Sequence, residues 1–418
     1  MTRIGGFANI KRVLGNRNYR IFIGGNLCSN LGNWIQRVAV GWLTWQLTES
    51  AAWLGLITFA DLFPTVLIGL IAGALVDRTD YLRMLKLTQT IAMTQAALLS
   101  LLTFADLITI ELLLALTVLR GINTAFNRPA RMSLIYRLVG RDTLSSAIAL
   151  NAIIFNSARF VGPAAGGAII VAGGVALAFA CNALTFLVFL AALASLRLPR
   201  EEKKRKEGRG LLSEAADGVR YTLSHPGIGP LLIILVVTAL FARPFTELLP
   251  GFADQVFGRG VDGLALLISA NGLGAMAAGL WLLQRGAIAG LAAIVIANLL
   301  LMACALLAFT ATDIFWVAMP FLVVTGFSLV MQGVSVQTLI QTAVAGELRG
   351  RVLAVYGIVA RGCPAIGALI LGGLSEQFGL RLPVAGGAAV CLVLWVWAAR
   401  LRPAMAQAFE DEPAEARL

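Results

Sequence analysis

Twelve mostly apolar stretches, each near the roughly 20 residues that cross a bilayer as a helix, follow one another along the chain. They fall at 19–47, 52–76, 83–104, 108–127, 146–171, 174–196, 227–250, 262–283, 287–309, 313–340, 350–374 and 381–401. A lipid-embedded segment must satisfy its own backbone N–H and C=O groups, so such runs fold as helices and the expected fold is all-α and polytopic. A polar connector separates six runs from six. This predicts an N-terminal six-helix bundle over 1–196, a cytoplasmic connector over 197–226, and a C-terminal six-helix bundle with its tail over 227–418.

Composition agrees with a membrane chain. Of 418 residues, 59% are hydrophobic and 13% charged, against about 25% charged in soluble domains. The net charge of +11 would also suit a nucleic-acid binder. The basic residues, however, lie between apolar segments and form no continuous face, so no nucleic-acid partner is expected. Met1 to Arg20 is polar and leads into a run of spanning length, so no cleavable signal is read there. The five cysteines sit inside apolar runs without metal-ligand spacing and read as packing residues. His225 reads as a loop residue in the connector.

Lysines and arginines set the expected orientation. One side collects Arg3, Lys11, Arg12, Arg17 and Arg20, then Arg78, Arg83 and Lys86, then Arg128, Arg131, Arg137 and Arg141, and most of the connector. The other side has Arg259 and Arg381 among several carboxylates. The chain is therefore expected to be a multi-pass cell-membrane protein (inner membrane if the source is Gram-negative), with both termini cytoplasmic. Within the connector, Arg200 to Glu207 is a charge run, and Leu211 to Leu223 could lie on the bilayer surface as an amphipathic helix. The tail around Glu410 to Pro413 reads as disordered.

An internal repeat supports the six-plus-six division. Shifting the chain by about 205 residues aligns Leu134-Ile135 with Leu339-Ile340 and Asp142 with Glu347, and both segments run into a Gly/Pro-rich helix.

Ionisable residues inside spanning helices are costly and are functional candidates by default. The set is Arg37, Asp61, Arg120, Arg159, Arg243, Glu247 and Arg361. Arg37 and Asp61 lie about 12 residues on either side of the turn near Glu49, roughly 18 Å along each helix, so they share a depth near mid-membrane. They can form a static ion pair, or Asp61 can carry a coupling proton with Arg37 as its partner. Arg243 and Glu247, four residues apart around Pro244, would share one face of a regular helix and form an external pair, or Glu247 can carry the proton instead.

Between the second and third runs, Gly73, Asp77, Arg78, Asp80 and Arg83 crowd into one short turn. This resembles the loop joining the second and third helices of the major facilitator superfamily, written G-x-x-x-D-R-x-G-R-[RK]. Gly73, Asp77 and Arg78 match, while Asp80 and Tyr81 replace a glycine and an arginine. The resemblance implies a loop that latches the two bundles on the cytoplasmic face as they rock. Arg120, followed by Gly121, resembles the fourth-helix arginine of the superfamily's proton-coupled exporters, although Asn123-Thr124-Ala125 departs from their pattern. A snorkelling arginine is the alternative.

The fifth run holds Arg159, Gly162, Pro163, Gly166 and Gly167. It resembles the exporters' G-x-x-x-G-P-x-x-G-G, with Ala158 in place of the first glycine. Close helix packing alone would also account for these glycines. The first hairpin, with Asn127 to Arg131, is similar to the branch containing the enterobactin exporter and macrolide efflux proteins. Trp34, Gln36, Phe59, Phe63, Phe155, Phe241, Phe245 and Arg361 are candidates to line a cavity, or the aromatics face lipid or core.

These resemblances imply a monomeric secondary transporter in a lipid bilayer, exporting a small organic compound such as a drug or siderophore against protons by alternating access. No cofactor beyond the proton gradient is expected, since no nucleotide-binding motif appears. Nor does any hydrolytic triad or metal site, so an enzyme is not expected. Metabolite uptake or uniport, and a non-transporting membrane sensor, are the alternatives.

Overall fold

The computed structural model describes residues 12–197, 227–285, 290–344 and 346–410. His225, the connector's charge run and the amphipathic stretch 211–223 lie outside these residues, as does the tail beyond Glu410.

Among the described residues the regular structure is helical. We label the long helices α1 (Arg17–Thr48), α2 (Ala51–Arg78), α3 (Tyr81–Phe104) and α4 (Ile110–Leu138). The run Leu144–Ala194 holds α5 and α6, which part at Gly173 and Gly174. Gly174 has φ 77°, a left-handed conformation that only glycine adopts at little cost. α7 (Ile228–Val237) leads into irregular turns, and α8 (Gly260–Arg285), α9 (Leu291–Ala311), α10 (Phe315–Ala343), α11 (Gly346–Phe378) and α12 (Arg381–Glu410) follow. α4 and α12 run on well past the ends the apolar pattern suggested. Amphipathic helical turns continue beyond the lipid-length core, and hydropathy alone does not register them.

Ten of these stretches are long and apolar enough to span a membrane, with Leu144–Ala194 taken as one. α1 is not among them. Its polar residues Asn26, Asn30, Asn33, Gln36 and Arg37 dilute its hydropathy, yet most of it is covered by other helices.

By contact the described residues form two compact units. The first takes those within Met1–Thr48, Phe63–Lys206 and Leu264–Leu266; the second takes Glu49–Leu62, Glu207–Gly263 and Leu267–Leu418. The division departs from the connector-based one because the first part of α2 packs with the second unit. There, Gly55 lies against the backbone of Ala368 on α11, and Gly372 against that of Ala51. Glu376, near the end of α11, accepts hydrogen bonds from Ser50 Oγ at 2.8 Å and Ala52 N at 3.2 Å. This places a carboxylate at the N-terminus of α2, where the helix dipole favours one.

In the first unit, α1 and α3 both pack on α5 and α6, and α4 packs on α3. The core at one end gathers Tyr19, Phe22, Leu85, Leu134, Ile135 and Phe189. In the second unit α9 packs between α10 and α12. Phe245, Phe252 and Phe257 surround the Phe309 ring at centroid distances of 6.1, 4.9 and 6.0 Å.

The repeat is visible in the helices themselves. α4 and α10 each have 29 residues, and their start and end positions differ by the same 205-residue offset. Both end on an extended valine, Val139 and Val344. Leu134 and Ile135 are fully buried, and their counterparts Leu339 and Ile340 are 1% exposed.

Candidate functional site

The fifth-helix motif is explained by what it touches. A Cβ on Gly162 would lie 2.5 Å from Trp34 Cβ, and one on Gly166 would lie 3.2 Å from Ile35 Cα. α5 therefore lies directly on α1, and small residues are what permit that approach. Gly167 and Pro163 are buried beside them.

This crossing presents Trp34 as a platform. The Arg37 guanidinium carbon lies 5.5 Å from the centre of the Trp34 ring, and that of Arg159 lies 5.9 Å from it. The Phe155 ring stands edge-on to the indole at 6.2 Å. Four residues that sequence reasoning spread over three roles thus form one constellation within the first unit. Phe155 is 40% exposed; Trp34, Arg37 and Arg159 are half-buried.

Two cavity candidates are corrected. Gln36 is 1% exposed. Its Nε2 donates to Gln95 Oε1 at 3.0 Å and its Oε1 accepts from Asn182 Nδ2. It is a strut joining α1, α3 and α6, and its partners offset the cost of burying an amide. Phe245 is fully buried in the Phe309 cluster and lines nothing. Phe59, Phe63 and Phe241 are half-buried and Arg361 is exposed.

Asp61 is half-buried on the part of α2 that packs with the second unit, and Arg37 belongs to the first unit. Glu247 accepts from Thr246 Oγ1 at 3.2 Å and makes a long contact with Thr58 Oγ1 at 3.5 Å. Thr58 stands three residues before Asp61, on the same face of α2. The structure therefore sets Glu247 against Thr58, with Asp61 about one turn further along α2, all within the second unit. The regular-helix premise for Arg243 and Glu247 does not hold. A π turn, Thr238–Ala242, precedes a 3₁₀ turn, Arg243–Glu247. Four residues of 3₁₀ helix advance one and a third turns, so α-helical spacing does not apply. Pro244 lacks an N–H and cannot continue the α ladder. Arg243 Nη1 donates to Ala360 O at 3.2 Å.

In the motif-like turn, Asp80 caps the N-terminus of α3, accepting from Arg83 N at 2.9 Å. This accounts for an aspartate where the superfamily usually has glycine. Asp77 and Arg78 are exposed in the last turn of α2. That is the end at which the dipole disfavours an anion, so α2 itself gives Asp77 no stabilisation. Gly73 has open space around it, with nothing within 4 Å of where its Cβ would be. Arg120 is half-buried on α4, and Thr65 Oγ1 donates to the carbonyl of Gly121 beside it at 3.3 Å.

Sequence reasoning counted Arg131 as a cytoplasmic charge and as part of the branch-like stretch Asn127 to Arg131. In the structure its Nη1 donates to Asn26 Oδ1 at 2.7 Å, Asn26 Nδ2 donates to Asn151 Oδ1 at 2.8 Å, and the guanidinium lies 5.2 Å from the Phe189 ring centre. It ties α4 to α1, α5 and α6. Its place within the helical stretch ending at Leu138 was the available signal, hidden by ending the fourth run at residue 127.

The chain resembles transporters along nearly its whole length. It is 24% identical over 369 residues to the staphyloferrin A transporter of Staphylococcus aureus, covering 87% of this chain and 91% of that protein. It is 27% identical over 382 residues to the multidrug efflux pump Tap of Mycolicibacterium fortuitum, covering 85% and 88%. Among solved structures, the fold matches an inward-facing, occupied bacterial homologue of the human lysosomal transporter Spinster with TM-score 0.73 at 15% identity, over 94% of this chain and 97% of that one. The nucleoside transporter NupG matches with TM-score 0.67 at 14% identity, over 94% and 99%. The family model for transmembrane secretion effectors matches residues 12–416, and the chain belongs to that family of major facilitator transporters.

Proposed function

We propose that this membrane transporter exports a small organic compound by proton antiport, through alternating access, with both termini in the cytoplasm. The reading is supported by the contact of Glu247 with Thr58 at 3.5 Å, on the helix that carries Asp61 three residues later, within the second unit. Two carboxylates kept within apolar helices are candidates for carrying a coupled ion. Such a pair can take a proton on one side of the membrane and release it on the other as its hydration changes. Export is the direction suggested by the exporter-like α5 and by kinship to an efflux pump. Asp61 is the first proton site, and Glu247 shares or inherits the role.

The test is flux of a panel of fluorescent cations, anions and neutral amphiphiles in proteoliposomes, with and without an imposed pH gradient. Gradient-driven movement should disappear in Asp61→Asn while movement down the substrate's own gradient persists. If coupling survives Asp61→Asn and disappears in Glu247→Gln, the proton belongs to Glu247. Coupling that survives the double variant removes the pair from the mechanism.

A further inference from the structure

The end of the first unit where α4 finishes holds a charge that proton coupling does not use. Arg131 lies 21 residues after Ile110, roughly 31 Å along α4, which is about the thickness of the hydrocarbon core. α4 starts beside the polar Asp106, Thr109 and Glu111, so Arg131 stands at the headgroup level of the opposite face. Tyr136, 55% exposed just beyond it, suits that level. The groups that hold the Arg131 guanidinium are neutral. Its Nη1 donates to Asn26 Oδ1 at 2.7 Å, and the Phe189 ring centre lies 5.2 Å away. Its Nε is buried and has no hydrogen-bond acceptor among the described residues. No carboxylate among those residues pairs with it. Arg128, exposed one turn earlier on the same face of α4, adds a second positive charge within electrostatic reach. One amide oxygen and one ring face offset only part of the cost of taking a full charge out of water.

We propose that Arg131 binds a phosphate group, carried by the headgroup of an anionic phospholipid or by a free phosphate ion, where α4 meets α1 and α5. The proposal stands apart from the direction and the coupling of transport. Asn26, itself tied to Asn151 Oδ1 at 2.8 Å, fixes one arm of the guanidinium. That leaves the Nε side of the fork for paired charge-assisted hydrogen bonds to two oxygens of one group. The residue is half-buried, so the fork is not sealed off. A bound anion also relieves the repulsion between Arg128 and Arg131, which grows as the surroundings become less polar. Two positive charges one helical turn apart suit a group whose charge is spread over several oxygens. Depth selects phosphate, because the phosphates of a leaflet lie at the edge of the hydrocarbon core. In this arrangement the anion completes the junction of α1, α4, α5 and α6, and the stability of the first unit follows the phosphate around it.

Thermal melting of the purified, delipidated protein in a neutral detergent tests this. Phosphatidylglycerol is titrated against oleate, an anionic amphiphile without phosphate, and sodium phosphate against sodium chloride at equal ionic strength. Phosphatidylglycerol, sodium phosphate or both should raise the melting temperature of the parent saturably, and beyond what oleate and chloride do. A response to the lipid alone assigns the phosphate to a headgroup, and a response to the salt alone assigns it to a free ion. Arg131→Gln should raise the half-saturating concentration by roughly ten- to a hundredfold, as expected for loss of a charged hydrogen bond. Asn26→Asp places a carboxylate of the chain's own against Arg131 and should abolish the response, which a bond serving only to join helices does not predict. Arg131→Lys keeps the charge and the stem without the fork and should weaken the response by about threefold or more; it decides the matter if the other two variants do not fold. Three results overturn the inference: a parent that gains no more from phosphatidylglycerol or phosphate than from oleate or chloride, a folded Arg131→Gln or Arg131→Lys with the parent's half-saturation, or a folded Asn26→Asp that responds as the parent does.

Discussion

α4 and α10 are two readings of one repeat, and they differ where they meet their neighbours. In the first unit, α4 is fastened to α3 by polar groups: Asn123 Nδ2 donates to Thr88 O at 2.9 Å and Asn127 Nδ2 to Thr88 Oγ1 at 2.8 Å. In the second unit, the same offset places Ser328 and Gln332 at those positions and Ala293 where Thr88 stands. Asn298 on α9 donates to Ser328 O at 2.7 Å. Gln332 is 3% exposed, yet neither amide atom has a hydrogen-bond partner among the described residues. The hydroxyls of Ser328 and Ser335 are likewise buried without one. The repeat has kept length, ends and the apolar seam, which set helix position. It has not kept the polar seam. Buried polar pairs need both members, so a single change at the threonine position leaves its amide partner exposed to the full cost of desolvation.

The comparison can be broken most forcefully at a glycine both halves share. Gly326 corresponds to Gly121, and a Cβ there would press on the Asn271 backbone of α8, with its carbonyl carbon 2.7 Å away. Gly326→Val should cost about 3 kcal/mol or more, comparable to severe overpacking, and thermal melting in detergent should show a large drop or no folded protein. Gly73→Ala, with open space around it, is the matched control and should melt with the parent. Next in size is Thr88→Val, which strands the Asn127 amide. It should cost about 1–3 kcal/mol, whereas the corresponding Ala293→Val should lack that penalty.

The smallest effects sharpen the contrast by reversing its sign. Gln332→Leu removes an unpaired buried amide and should raise stability by about 1 kcal/mol. Ala293→Thr, which offers Gln332 the hydroxyl that Asn127 has, should stabilise by roughly 0.5–1.5 kcal/mol. In the Gln332→Leu background that gain should vanish, and a double-mutant cycle reads the coupling directly. A gain that survives there would mean the two positions do not meet.

Much of the architecture was legible because bilayer thickness imposes a length on every crossing. Apolar runs therefore marked the spans, with α1 recognisable despite its polar residues. The 205-residue repeat was readable because Leu134-Ile135 and Leu339-Ile340 keep the same buried seam. The Asp80 cap could have been anticipated from an aspartate just ahead of a helix. Of the site, the residue types were legible and their grouping was not. Arg37, Trp34, Phe155 and Arg159 were individually conspicuous, but nothing local says that Gly162 brings α5 onto Trp34. Gln36 looked like a cavity wall because its partners Gln95 and Asn182 are 59 and 146 residues away.

The sequence by itself determined that this chain is an all-helical membrane protein in two related halves, because hydropathy and repeat are properties of neighbouring residues and of fixed offsets. Only the tertiary structure decided that two arginines share one indole, that Glu247 meets Thr58 of α2, and that Gln332 lacks the partner its counterpart has. Those facts depend on how each helix is rotated and how deeply it is set against others. Close packing of distant side chains fixes those quantities, and no local pattern encodes them.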